Sequence, residues 1–348
     1  MTPILLDRNE NRYGPAPECL AALREATPDI LFNYTRDFQR GVYSALSEKL
    51  AALHGVPEKR VLLGYGCEDL LKQAVHHWVK PGERCLIPSA SWWYYRSIAD
   101  EVSGVTVEYP IVEAATGYAY DIEALKRIQK ATPARILLIS SPNNPTGNRF
   151  PSSRLPEILE AFRDCVVVYD EAYFGFSEEP SDDAAAMTDR HPNLLVLRTF
   201  SKLYGLAGAR IGYGIAGKEL GSFLKFSSRN LGYSRISERL ALAALSNPSY
   251  YARVRASVIA DRRSVLAALR AFPGVRAYDS DANFVLARFP SSAVFDIRAE
   301  LDRRGLVLKF FSEDAFRDCA RITLGTPEET STLVAAFHEV LASALAYP

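Results

Sequence analysis

Between Val61 and Leu197 the chain alternates short apolar runs with segments of helical length, and that alternation limits it to very few folds. The runs are Val61 to Leu63, Arg84 to Ile87, Val105 to Tyr109, Ile136 to Ile139, Val166 to Tyr169 and Leu194 to Leu197. Trp93 to Glu101, Ile122 to Lys130 and Leu155 to Arg163 read as the intervening helices, and Val42 to His54 as an amphipathic helix before them. Strands that are apolar throughout are covered on both faces. The fold class expected is therefore α/β, a mostly parallel sheet covered by helices. At 348 residues and 48% hydrophobic content the chain can also build a second core. Beyond about Leu240 a long helical stretch, broken near Asn247-Pro248, leads into short strands and two further helices, the last over Pro327 to Leu345. That is the texture of a smaller α+β domain. The expected organisation is an N-terminal arm over 1–25 that contributes to the small domain and to a dimer contact, a large domain over 26–240 and a small domain over 241–348. The first sixteen residues show no period and read as an unpacked arm.

Ligands of such sheets sit at the carboxyl ends of the strands. Three segments there carry chemistry: Ser141-Pro142-Asn143-Asn144-Pro145-Thr146-Gly147, Asp170-Glu171-Ala172-Tyr173 and Thr199-Phe200-Ser201-Lys202. A glycine-rich stretch then leads to Arg210 and to a further apolar run, Ile211 to Ile215. Upstream, Gly64-Tyr65-Gly66-Cys67-Glu68 joins a strand to a helix, a geometry that aims backbone N–H groups and the helix dipole at a phosphate.

These residues match the functional groups of pyridoxal phosphate one by one. Lys202 is an amine for its aldehyde, and Asp170 is an acid for its ring nitrogen. Tyr173 and Asn144 are donors for its 3-oxygen. Thr199, Ser201, Arg210 and the backbone amides of Cys67 and Glu68 suit its phosphate. Glu171 reads as a structural carboxylate.

The motifs SPNNPTG (141–147), YDEAY (169–173) and RTFSKLYGLAGARIGY (198–213) together resemble the class I/II aminotransferases of the pyridoxal-phosphate fold type I. LDRNENRYGPAP (6–17) and ARITLGTPEE (320–329) bring the resemblance closest to the histidinol-phosphate aminotransferase group. It covers nearly the whole chain. The resemblance implies that Lys202 bonds the cofactor and shuttles a proton, and it assigns Asp170, Asn144, Tyr173, Thr199, Ser201 and Arg210 as above. It implies a homodimer in which Tyr34 reaches the neighbouring active site. It also implies that Arg321 grips the substrate's acidic group, with Tyr13 and Lys309 as further substrate contacts.

Several positions depart from the group's pattern. Gly66-Cys67-Glu68-Asp69 changes the side chains of the phosphate turn. Trp92 is favoured as the ring stacked on the cofactor, with Trp93 and Tyr95 as alternatives. Lys309 stands where an arginine is expected, and Arg229 to Arg235 replaces a proline-tyrosine loop.

Equal numbers of basic and acidic residues, 41 of each, give no electrostatic case for nucleic acid or an anionic membrane. Five dispersed cysteines without a Cys/His cluster read as reduced thiols of a cytoplasmic protein and offer no metal site. The N-terminus lacks the pattern of a secretory signal. The expected activity is transfer of an amino group between an amino acid or amino alcohol and a 2-oxo acid by a ping-pong route. The alternatives are a decarboxylase or amino-acid oxidase on the same scaffold. A pyridoxal-phosphate-binding regulator is disfavoured because no basic cluster for DNA is present.

Overall fold

The computed structural model describes residues 2–178, 183–229 and 231–344. A seven-stranded sheet runs in the order Val61–Gly64, Gly212–Ala216, Leu194–Thr199, Val166–Asp170, Ile136–Ser140, Arg84–Pro88, Val105–Tyr109. Neighbours are parallel except at Gly212–Ala216, which runs antiparallel to both of its partners.

Alternate residues of each central strand feed opposite cores. Leu138, Val168 and Leu197 pack with the helix Cys67–Trp78 on one face. Leu137, Val167 and Val196 pack with the helices Ile122–Ala131 and Leu155–Ala161 on the other. Both faces are dry, which is why the strands carry no polar alternation.

The helices begin where capping chemistry allows. Asp121 accepts from the Ala124 N–H at 2.8 Å and starts Ile122–Ala131. A Ser44/Ser47 capping box starts Ala45–His54, so that helix opens at Ala45 and not at Val42 as the apolar spacing implies. Asn247 caps Pro248–Arg270, and proline in its first turn accounts for the break from Arg235–Leu245.

A second sheet of five strands has the order Ile4–Leu6, Leu306–Phe310, Cys319–Thr323, Phe284–Arg288, Arg276–Tyr278. Only its first pairing is parallel. Val258, Val265 and Leu269 of Pro248–Arg270 cover it together with Leu333, Phe337 and Val340 of Pro327–Ala344. The N-terminal arm is thus not wholly unpacked, because Ile4–Leu6 forms the edge of this sheet. Three residues are too few to show a period, and the strand exists through its pairing with Leu306 to Leu308. A hairpin of Ile111–Glu113 with Tyr118–Tyr120 likewise carries no sequence signal. Leu345, the expected end of the last helix, and Asn230, within the 229–235 loop, lie outside the described residues.

Candidate active site

Register brings the chemistry-bearing segments to one edge of the large sheet. Ser140 pairs with Asp170 and Asp170 with Leu197, so the Asn144 turn, the Asp170–Tyr173 segment and the Thr199–Lys202 turn leave adjacent strands side by side. Gly212 pairs with Thr199 on one side and Gly64 on the other. This carries the Gly64–Cys67 turn against Arg210. A Cβ on Gly212 would stand 2.2 Å from the Cys67 nitrogen, so only glycine lets these backbones approach.

The result is a cleft of about 1540 Å³. Lys202, Asp170, Tyr173, Asn144, Cys67 and Glu68 line it. So do Trp92, Thr199, Ser201, Arg210, Lys309 and Arg321. Tyr34 and Tyr13 are not among the lining residues. Tyr34 is 68% exposed. The Tyr13 hydroxyl donates to Asp261 at 2.7 Å beside the smaller core.

At one end of the cleft Thr199, Ser201 and Arg210 form a cup with the start of Cys67–Trp78. The Ser201 N–H donates to Thr199 Oγ1 at 3.1 Å, and Arg210 Nη1 donates to Ser201 Oγ at 3.4 Å. Arg210 holds a left-handed backbone, φ 51°, while Gly66 has φ 86°. A Cβ on Gly66 would stand 2.7 Å from Arg210 Nη2. The helix start at Gly66 has no side-chain cap, which leaves its first N–H groups to a ligand. Arg210 also pairs with Glu68 at 3.4 Å. Burial, then the charge of Asp170, pushes the Cys67 thiol up, so it stays protonated at neutral pH.

Asp170 lies deeper and is 6% exposed. Its oxygens accept from Tyr95 Oη at 2.9 Å and the Ala172 N–H at 3.0 Å. Among the described residues no cation pairs with it. Burial holds its carboxyl above the ordinary carboxylate range against both hydrogen bonds. Glu171, next in sequence, turns the other way to an internal ion pair with Arg198 at 2.7 Å.

Lys202 Nζ donates to the carbonyls of Arg8 and Asn9, each at 3.2 Å, and stands 5.5 Å from the centre of the Tyr173 ring. Asn9 is a site residue the sequence reading passed over. It is buried, with φ 56°, and its side-chain amide donates to Tyr173 Oη at 2.9 Å. Its backbone N–H donates to Thr323 Oγ1 at 2.9 Å. The available signal was only an asparagine in an acidic and basic turn, Asp7-Arg8-Asn9-Glu10, where a left-handed residue is tolerated.

Arg321 donates to Asn144 Oδ1 and to the Asp7 carbonyl, both at 2.6 Å, while its Nε is buried without a partner among the described residues. Lys309 is its neighbour across the strands and is exposed at the rim. Trp92, Trp93 and Tyr95 all line the cleft; Trp93 is 59% exposed, and Tyr95 Oη donates to Asp170. The Arg229 to Arg235 segment is largely tied into the protein. Arg229 pairs with Asp69 at 2.5 Å over the Tyr65 ring, and Arg235 donates to the Asp29 carbonyl at 2.8 Å.

An uncapped helix start beside an arginine, a reachable amine, and a buried carboxylate without a cation fit the three ends of pyridoxal phosphate: phosphate, aldehyde and pyridinium. Fold and cleft together define a pyridoxal-phosphate-dependent enzyme. The chain belongs to the family Aminotransferase class I and II, which it matches over residues 2–337. It is 33% identical to a histidinol-phosphate aminotransferase of Anaeromyxobacter sp. over 97% of this chain and 90% of that protein. It is 31% identical to histidinol-phosphate aminotransferase 1 of Pseudomonas aeruginosa, covering 96% and 92%. The crystal structure of a histidinol-phosphate aminotransferase from Sinorhizobium meliloti in complex with pyridoxal-5'-phosphate superposes with a TM-score of 0.87 at 26% identity, covering 98% and 92%.

Proposed function

We propose that this aminotransferase takes its amino group from an anionic amino alcohol or amino acid of the histidinol-phosphate type and delivers it to a 2-oxo acid by a ping-pong route. The observation that carries this reading is Arg321, a buried guanidinium that lines the same cleft as Lys202 and, among the described residues, is held only by neutral oxygens, with no carboxylate paired to it. A dianionic or carboxylate group on the substrate supplies the missing partner. The names of the relatives support the phosphorylated donor. The alternatives of decarboxylation and oxidation have no comparable support.

Pyridoxal phosphate, when bound, supplies an aldehyde for amines and a protonated ring that accepts the negative charge left at a deprotonated Cα. In this reading Thr199, Ser201, Arg210 and the Cys67 and Glu68 amides bind its phosphate. Asp170 faces its ring nitrogen, and Tyr173 and Asn144 donate to its 3-oxygen. Trp92 covers one face and shields the site from water. Lys202 Nζ would take the proton from the donor Cα and give it up at the cofactor's C4′, on the far side of the shared nitrogen, a task that typically contributes about 10²–10⁴-fold. Arg321, assisted by Lys309, orients the donor, and Tyr13 joins them only when its hydroxyl leaves Asp261.

The same reading makes the active form a cytoplasmic homodimer. Tyr34 is exposed beside Leu31 and Phe32, which are 72% and 73% exposed, an apolar edge suited to a second copy whose cleft Tyr34 would enter. Residues 1–25, 26–240 and 241–348 act as arm, cofactor-binding domain and substrate-closing domain. No described helix is long and apolar enough to cross a membrane.

The test is a donor screen by absorbance, following conversion of the bound cofactor to its pyridoxamine form. Histidinol phosphate should convert it, and Arg321→Ala should raise the donor concentration needed about tenfold to a hundredfold. Conversion by unphosphorylated donors alone would sink the substrate assignment.

A further inference from the structure

We propose that Tyr95 is a positioning residue for this reaction: its hydroxyl keeps Asp170 ionised and aimed, and so fixes the proton on the cofactor's pyridine nitrogen. The inference rests on the reading of Asp170 as the partner of that nitrogen.

Tyr95 lies on the buried face of Tyr94–Glu101 with Ile98 and Ala99 and is 1% exposed. Its ring is clamped in the core shared by Ile87 and Val168, and Trp92 meets it edge-on at 75°. Such packing fixes the phenol before any ligand arrives. Its oxygen stands 2.9 Å from Asp170 Oδ2. Burial pushes the phenol well above its ordinary range, so at neutral pH it can only donate to the carboxylate.

Among the described residues Asp170 has one other protein donor, the Ala172 N–H. A buried carboxylate with a single donor and no cation favours its neutral form. A neutral acid would offer its own proton to the pyridine and leave the ring uncharged. With Tyr95 in place the carboxylate stays charged, and the proton resides on nitrogen, where the ring needs it to accept electrons. An aromatic residue in this cleft therefore acts through its hydroxyl and not by stacking, the role left to Trp92.

The experiment compares the affinity of cofactor-free protein for pyridoxal phosphate with that for its 1-deaza analogue, in which carbon replaces the ring nitrogen. Wild type should prefer pyridoxal phosphate. Asp170→Asn should abolish that preference, and Tyr95→Phe should cut it about tenfold or more, the worth of a hydrogen bond to a charged group. With ¹⁵N-labelled cofactor, Tyr95→Phe should move the ring-nitrogen resonance toward neutral pyridine. If Asp170→Asn loses the preference and Tyr95→Phe keeps it, with an unmoved resonance, Tyr95 is merely packing and the proposal fails alone. If Asp170→Asn also keeps the preference, the reading of Asp170 fails and the proposal with it. Should Tyr95→Phe not fold, 3-fluorotyrosine at position 95 keeps the ring and makes the hydroxyl a stronger donor. The other titratable groups whose charge Asp170 feels or influences, namely Cys67 and Lys202 in the cleft, the buried Tyr120, and Glu171 on its far side, are unchanged in that protein. The pH below which the preference disappears must then fall, and an unmoved pH overturns the proposal.

Discussion

The Arg321 guanidinium donates to the amide oxygen of Asn144 across 2.6 Å. Arg321 lies on the strand Cys319–Thr323 of the smaller sheet, and Asn144 lies in the turn after Ile136–Ser140 of the larger one. The bond therefore spans the two sheets. With its oxygen turned to Arg321, the Asn144 amide presents its NH₂ group for the contact to the 3-oxygen proposed above.

Arg321→Ala should accordingly act at two places. The KM for an anionic donor should rise about tenfold to a hundredfold, the loss expected for a charge-assisted pair. The pH at which the bound cofactor changes absorbance should move as well, because Asn144 is no longer oriented. Arg321→Lys should recover part of the first effect and little of the second, since an ammonium lacks the planar fork. Steady-state kinetics with a pH titration of the spectrum separate the two.

The Glu171–Arg198 pair is structural and buried, with both side chains 5% exposed and Phe174 stacked 3.6 Å from the guanidinium. Arg198→Met leaves Glu171 as an uncompensated buried charge and should cost about 3–5 kcal/mol of stability. Replacing both partners by apolar residues should cost clearly less. Denaturant unfolding of the three proteins decides it, and equal losses for the single and double variants would contradict the pairing.

Asp170 predicts a pH-dependent stability. Its carboxyl sits above the ordinary range in the folded chain because burial outweighs its two hydrogen bonds. The folded state thus binds this proton more tightly than the unfolded one. Stability falls as pH rises from the unfolded value through the folded value, and the penalty is fully present above it. Asp170→Asn should raise the Tm of the cofactor-free protein near pH 8 and lose that advantage below about pH 4, where the unfolded carboxyl is also protonated. With pyridoxal phosphate present the order should invert, because the variant forfeits ligand stabilisation. Matching Tm values for the two cofactor-free proteins at pH 8 would count against this account.

The cup has its own brace. Tyr233 is 7% exposed, and its hydroxyl lies 2.8 Å from the Gly64 carbonyl and 3.1 Å from that of Arg210. It ties the glycine turn to the left-handed arginine. Tyr233→Phe should weaken pyridoxal phosphate binding by about tenfold, the scale of one or two net hydrogen bonds. Titration of cofactor-free protein measures this, and an unchanged Kd would show that the cup holds its shape without the brace.

Most of the large sheet was legible because each central strand is apolar on both faces, and the residues that line the cleft follow those strands in short continuous motifs. Asp170, Thr199, Ser201 and Lys202 needed only chain order to be found. Asn9 was not legible, since its side-chain partners Tyr173 and Thr323 lie far along the chain. Tyr13 illustrates the same limit: its hydroxyl is committed to Asp261, a pairing that no local pattern announces. In the Trp92 to Tyr95 cluster composition alone could not tell the buried ring from the exposed one, since Tyr95 is 1% and Trp93 59% exposed within three residues of chain. In the Arg229 to Arg235 segment no local pattern announces the partner of Arg229, because Asp69 lies 160 residues earlier in the chain.

Ile4–Leu6 takes its place beside Leu306 to Leu308, about three hundred residues later in the chain. At a synthesis rate of about 5–20 residues per second, the earliest strand waits roughly a quarter of a minute to a minute for its partner to be made. The carbonyls of Arg8 and Asn9 that receive Lys202 follow directly from that strand. The lysine's resting place is therefore completed only after the last sheet closes, and a ribosome-bound fragment that already contains every cofactor-cup residue still lacks it.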